Sequence, residues 1–366
     1  MNLEEILRDP RFHLPVKNST GGPYKEFIVR LLQDYIGTLE ANPDFLSIYS
    51  TIKITESTFL NKVKVAAAEV VKILEHRRDG ASDTPALVGN LMLRLIFTMY
   101  MPQSYVTQIP ENTIFYRCIG SDTEELQSRF FHAPFEIPEK VDDTRFSIPG
   151  IPSLYLANSL SGGYLECRAK TMNRFQAAKF ENKIPLAMLN LDYHLGDISG
   201  VEDELEHQRI GSLYPLFAAC FSVYEDDDKN PQEYMVPQLV TNWLREGKIF
   251  DGILYSSTKT ASLNYKEHFY NLVLPPKVIA DSGHCIWLRD TAFNMSDICY
   301  WNRHHGDILT FFTTDYPNIG FINKAVETIE WPEGSAAIAY QDTDPGQMEF
   351  FMRNHVSMIV KTIKFS

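Results

Sequence analysis

The chain has 366 residues, 44% of them hydrophobic and 22% charged. This is an ordinary globular composition with room for two or three domains, and it excludes disordered, collagen-like, coiled-coil and disulfide mini-protein classes. The formal charge is −13, from 34 Lys and Arg against 47 Asp and Glu, and no basic run exceeds the doublet Arg77-Arg78, so nucleic acid is not an expected partner. The five cysteines (Cys118, Cys167, Cys220, Cys285, Cys299) are scattered singly with no Cys-x-x-Cys pair and read as reduced core residues.

The first residues, Met1-Asn2-Leu3-Glu4-Glu5, are acidic and form no apolar signal segment, so a cytoplasmic location is expected. Apolar residues then recur at helical spacing over 24–39 (Phe27, Ile28, Leu31, Leu32, Tyr35, Ile36), and again over 59–74 and 87–100. These predict a small helical bundle over residues 1–105. The most apolar stretch, 86–101, is interrupted by Asn90 and Arg94 and is shorter than the ~20 residues that span a bilayer. It reads as a buried helix, and no membrane partner is expected.

After Pro110 the texture changes to short apolar runs, with strands expected at 114–119, 153–157, 186–191, 250–255 and 268–274. Helices are expected at 161–170, with Ser161 as its cap, at 213–224 and at 236–246. Gly162-Gly163 lacks the strand context of a dinucleotide motif and reads as backbone relief near that cap. The acidic run at 225–228 reads as a solvated loop. Beyond about residue 287 strands are expected at 308–313, 336–340 and 356–365. Cys299, His304, His305 and Asp307 lie close together but lack a second ligand pair, so no metal is expected. The fold class is α+β: a helical domain over 1–105, a mixed α/β domain over 106–285 and a β-rich extension over 286–366.

Three stretches of the middle domain carry chemistry. They are Phe115-Tyr116-Arg117-Cys118-Ile119; Arg145-Phe146-Ser147 leading through Leu154-Tyr155-Leu156-Ala157 to Glu166; and Gln238 through Trp243 and Leu244 to Asp251-Gly252-Ile253-Leu254-Tyr255-Ser256-Ser257. Arg to Tyr is ten residues and Tyr to Glu eleven. As an ordered set they resemble the RES domain, named for an Arg, a Glu and a Ser. The resemblance implies an ADP-ribosyltransferase-like fold, NAD as a consumed substrate, no metal, and the role of a toxin held by an antitoxin partner. Thr144 and Ser147 depart from the Gly and Asn usual around the Arg-Phe pair. Ser256 and Ser257 face opposite sides of a strand, and Ser257 fits the Tyr-x-Ser ending.

The chemistry can also be argued from the residues. Cleaving the nicotinamide bond of NAD builds positive charge on the ribose, which an anionic carboxylate stabilises in the transition state, and Glu166 suits that role. A guanidinium suits the diphosphate and an aromatic face suits nicotinamide, which points to Arg145 and Tyr155. Ser257 or Ser256 would bind ribose or phosphate, Arg117 is a second candidate for the phosphates, and Gln238 is a further substrate-binding candidate that reads as structural more than catalytic. The acceptor stays open among water, phosphate and a protein side chain, so glycohydrolase, phosphorylase and ADP-ribosyltransferase are all compatible. The partners implied are NAD, an antitoxin or a protein target, and a second copy of the chain. Two other readings stand beside this one: a non-catalytic module that binds NAD or ADP-ribose, and a ribonuclease. The helical domain is similar to HEPN domains, some of which carry an Arg-x4-6-His ribonuclease motif. Arg8 and His13 have that spacing, but Pro10 between them disfavours a helix.

Overall fold

The computed structural model describes residues 1–18, 22–49, 54–76, 88–90, 92, 105–121, 123, 125–141, 144–167, 174–223, 232–257, 268–304, 308–312, 319–323, 349–350, 352–354 and 358–359. Its helices are α1 (Leu3–Arg8), α2 (Tyr24–Ala41), α3 (Glu56–His76), α4 (Leu160–Glu166), α5 (Val201–Cys220) and α6 (Met235–Gly247). Among the described residues no helix is long and apolar enough to cross a membrane. The chain divides into two compact units: one of 1–107, 142–149 and 189–249, and one of 108–141, 150–188 and 250–366. The two units interleave along the chain, which passes between them several times.

In the first unit, α2 and α3 follow the apolar periodicity. Of the expected third helix, only 88–90 and 92 lie within the described residues, and these are helical. Helix α1 opens on a reciprocal cap, in which Asn2 Oδ1 accepts from Glu5 N and Glu5 Oε2 accepts from Asn2 N, both at 2.9 Å. It ends at Arg8, which pairs with Glu4 at 3.0 Å, so Arg8 and His13 do not share a helix as a ribonuclease motif would need.

Helix α5 corrects the expected 213–224: it begins twelve residues earlier, at Val201, and ends at Cys220. Its first half looks like loop in sequence because it is polar, yet His207, Gln208 and Arg209 are buried. Arg209 Nη1 donates to Asn190 O at 3.0 Å and Nη2 to Asp192 O, and His207 Nε2 donates to Gly196 O at 2.9 Å. Pro215 sits inside the helix and cannot donate to the carbonyl of Gly211 one turn back. Tyr35 from α2 supplies the missing donor, its hydroxyl lying 2.8 Å from Gly211 O.

The strands are β1 (Val16–Lys17), β2 (Val106–Ile109), β3 (Ile114–Gly120), β4 (Leu154–Ala157), β5 (Arg174–Asn182), β6 (Leu186–Leu191), β7 (Ser222–Val223), β8 (Gly252–Ser256), β9 (Tyr270–Leu274), β10 (Phe293–Ser296), β11 (Cys299–His304), β12 (Ile308–Phe312), β13 (Ile319–Asn323) and β14 (Met358–Ile359). β1 pairs in parallel with β7. The second unit is built on a sheet in the order β13-β12-β11-β5-β3-β4-β9-β8-β6-β2, with β10 pairing both β5 and β14.

The strands expected at 114–119, 186–191 and 308–313 are present within a residue or two. The strand expected at 336–340 lies outside the described residues, and of 356–365 only β14 is described. β5 is not anticipated by any periodicity, although it pairs with β3 along seven positions from Ile114↔Glu181 to Gly120↔Phe175. One sheet face is covered by an apolar core that includes Phe115, Phe130, Phe131, Leu154, Leu156, Leu272 and Leu288. A smaller cluster of Tyr116, Cys118, Leu160, Ala177, Cys299 and Met352 lies under α4.

Candidate active site

The pleat of the second-unit sheet puts the site on one face. Register positions Tyr116↔Ala157, Ala157↔Asn271 and Tyr255↔Asn271 place these side chains on a common side. Tyr155, two residues before Ala157, shares that side, and Ser257, two after Tyr255, follows the same parity.

Helix α4 lies over this face. Its cap is Ser159, whose hydroxyl accepts from Gly162 N at 3.0 Å, and not Ser161, which is buried inside the first turn. The glycine pair does more than relieve the cap. A Cβ on Gly163 would meet Cys118 Sγ at 2.8 Å, so the missing side chain lets α4 approach β3 closely. The helix ends at Glu166, half-buried, and its Oε1 accepts two hydrogen bonds. Ser257 Oγ donates at 2.6 Å across 91 residues of sequence, and Asn271 Nδ2 donates at 2.9 Å. Ser257 and Asn271 are both buried, so the carboxylate is oriented by fixed donors.

The Glu and the Ser of the RES pattern therefore meet, and it is Ser257 that reaches Glu166. Ser256 is the last residue of β8, buried and in register with Tyr270. Asn271 is the site residue that sequence reading missed. Its signal was an amide inside the apolar run Tyr-Asn-Leu-Val-Leu, at the parity of the site face.

Arg117 leaves β3 one residue out of phase with Tyr116. β3 meets β4 at Tyr116↔Ala157 and pairs with β5 from Ile114 to Gly120, and Arg117 lies near enough to Tyr155 and Arg129 for both to act on its charge. The guanidinium Nη1 is enclosed and has no hydrogen-bond partner among the described residues. Burial, and then the neighbouring Arg129 guanidinium, push the pKa of Arg117 down to about 10, while Tyr155 opposes the shift. A buried cation of this kind suits an anionic ligand.

Arg145 and Gln238 belong to the first unit. Arg145 Nη1 donates to Cys220 O at 2.6 Å and Ser222 O at 3.1 Å, closing the C-terminal end of α5, where a cation is favoured. The guanidinium also lies 5.2 Å from the ring centre of Tyr234. Gln238 Nε2 donates to Thr144 O at 3.3 Å, next to Arg145. Four of the cysteines are buried thiols and Cys167 is half-buried. Among the described residues no group of three or more His, Cys, Asp and Glu is placed to hold a metal ion.

Residues 114–287 match the family model described as RES domain. The chain is 26% identical over 381 residues to a protein of Bacillus subtilis (strain 168) described as "Putative toxin YopC", the alignment covering 94% of this chain and 79% of that protein. No solved structure matches the chain.

Proposed function

We propose that this chain, which carries a RES domain over residues 114–287, is an NAD-consuming enzyme of toxin type that breaks the bond between nicotinamide and ribose. The observation that carries this reading is the hydrogen bond from Ser257 Oγ to Glu166 Oε1 at 2.6 Å. It joins the Glu and Ser of the family pattern into one half-buried carboxylate site on the face that bears Tyr155.

In the reaction the C1′–N bond breaks and its electron pair stays with the pyridinium nitrogen. Nicotinamide therefore leaves neutral and needs no proton from a general acid. The positive charge left on the ribose exists only as the bond opens, so a nearby carboxylate lowers the barrier selectively. Glu166 supplies that charge, while Ser257 and Asn271 hold its orientation. Tyr155 offers a stacking face for nicotinamide. The acceptor oxygen then forms the new bond to C1′ and releases its proton.

This reading assigns the diphosphate to Arg117, whose enclosed Nη1 has no hydrogen-bond partner among the described residues, and leaves Arg145 as the residue that closes α5. The description of the Bacillus subtilis relative supports the toxin class. Such an activity needs restraint, and an antitoxin protein or the helical first unit would provide it.

The test is the NAD content of cells expressing the wild type or Glu166→Gln, with nicotinamide, ADP-ribose and phosphorylated ADP-ribose followed by mass spectrometry. Rapid NAD loss that depends on Glu166 is expected, and the product names the acceptor. Unchanged NAD, together with saturable ADP-ribose binding by the purified protein, would replace the enzyme with a binding module.

A further inference from the structure

Helix α4 has seven residues, too few to hold its place by its own hydrogen bonds. Something outside it must fix its position, because Glu166 is its last residue. Ser159 serves Gly162 N, but the first amide of the helix is served from far away: Leu160 N donates to Glu349 Oε2 at 2.9 Å across 189 residues. Glu349 is 7% exposed and lies outside the segment that matches the RES model.

Its other oxygen, Oε1, accepts from Arg353 Nη2 at 2.7 Å and Nε at 3.1 Å. Arg353 Nε also donates to the hydroxyl of Tyr116 at 3.0 Å, and Lys179 Nζ donates to Arg353 O at 3.5 Å. Met352, between them in sequence, is fully buried in the apolar cluster with Tyr116, Cys118 and Leu160. Farther along, β14 pairs with β10 at Met295↔Ile359 and Ser296↔Met358. The described C-terminal residues are thus part of the unit that holds Glu166.

We propose that Glu349 is a positioning residue for Glu166. Its carboxylate pins the start of α4 to β3 through Arg353 and Tyr116, and so sets where Glu166 stands at the other end of the helix. A negative charge at that end is also favoured by the helix dipole. The inference rests on the proposed role of Glu166.

The test uses the full-length chain with Glu349→Ala and Glu349→Gln, read by NAD turnover and by backbone amide exchange. Glu349→Ala is expected to lower kcat about tenfold or more, because small misplacements of a catalytic group cost that much, while KM for NAD moves less than about threefold. Glu349→Gln keeps a carbonyl for Leu160 N and is expected to recover most of kcat. Amide exchange of residues 159–166 should rise in Glu349→Ala, with residues 252–256 unchanged.

Unchanged kcat and unchanged exchange of 159–166 would overturn the inference, as would a Gln variant no better than Ala or faster exchange throughout the unit. If Glu349→Ala does not fold, Glu349→Asp carries the same test, since it keeps the charge but is too short to reach both Leu160 N and Arg353. If the wild type consumes no NAD, the reading of Glu166 fails by itself, and the exchange measurement still decides whether Glu349 holds α4.

Discussion

Gly163→Ala tests whether close packing of α4 on β3 sets the site. The new Cβ would lie 2.8 Å from Cys118 Sγ and 3.6 Å from Cys118 Cβ, the first distance well inside van der Waals contact. Cys118 is buried among Tyr116, Leu160 and Ala177, so the sulfur has little room to turn away and the helix must lift. Two effects oppose each other. Alanine is favoured over glycine inside a helix by about 1 kcal/mol, whereas overpacking a filled core costs roughly 1–3 kcal/mol. The net expectation is a loss of about 1 kcal/mol, too small by itself to distinguish mechanisms.

The coupling to Cys118 is the cleaner quantity. In a Cys118→Ala background the sulfur is gone and only the helix preference remains, so Gly163→Ala should stabilise by up to about 1 kcal/mol. The two substitutions are therefore expected to couple by roughly 1–3 kcal/mol. The assay is urea unfolding of the wild type, both single variants and the double variant. NAD turnover, measured alongside, should fall in Gly163→Ala and recover in the double variant. Additivity within about 0.5 kcal/mol would refute the packing argument.

Other perturbations probe the rest of the architecture. Tyr35→Phe removes the donor to Gly211 O and should cost about 1–3 kcal/mol in denaturant unfolding, because a buried carbonyl is left unserved; in a Pro215→Ala background, which restores a helical N–H, the loss should shrink. His132 is buried, accepts from Cys285 N at 2.9 Å and lies 2.7 Å from Ala133 O, and burial pushes its pKa down to about 3 from 6.5. It is neutral when folded and takes up a proton on unfolding below its unfolded pKa, so its contribution is complete above about pH 6.5. That contribution falls as pH drops from there toward 3, by up to about 1.4 kcal/mol per pH unit. Unfolding followed from pH 7 to 4 should therefore show a slope that His132→Gln reduces by about one proton. Arg117→Met removes an enclosed cation whose Nη1 has no hydrogen-bond partner among the described residues, so it should raise the thermal midpoint by a few degrees. The same variant should weaken ADP-ribose binding about tenfold or more in calorimetry, and unchanged affinity would take the phosphates away from Arg117.

Local signals were enough for α2 and α3, whose apolar residues recur on one side of an otherwise polar helix. They were also enough for β3, β4 and β8, which are apolar runs bounded by turns. The ordered Arg-Phe, Leu-Tyr-Leu-Ala, Glu and Tyr-x-Ser pieces placed Glu166 on a helix after a strand and Ser257 at a strand end. What periodicity missed were elements that bury polar groups. In β5, Gln176 accepts from Glu125 N at 3.0 Å and donates to Thr123 O at 2.6 Å, and Asn182 donates to Pro110 O and Ile184 O at 2.7 and 2.8 Å. In α5, Arg209 and His207 are likewise served by carbonyls distant in sequence. Such residues read as loop because their partners are invisible from their neighbours.

The sequence by itself determined the fold class, the helices α2 and α3 and the order of the RES-like pieces, since each depends on residue type and short-range spacing. Only the tertiary structure decided that Ser257 and Asn271 share one oxygen of Glu166, that Gly163 is there to let a helix touch a strand, and that Glu349 closes that helix from 189 residues away. Those are matters of which buried group meets which partner, and the partner of a buried polar group is set by how the chain packs across long separations, which local pattern does not encode.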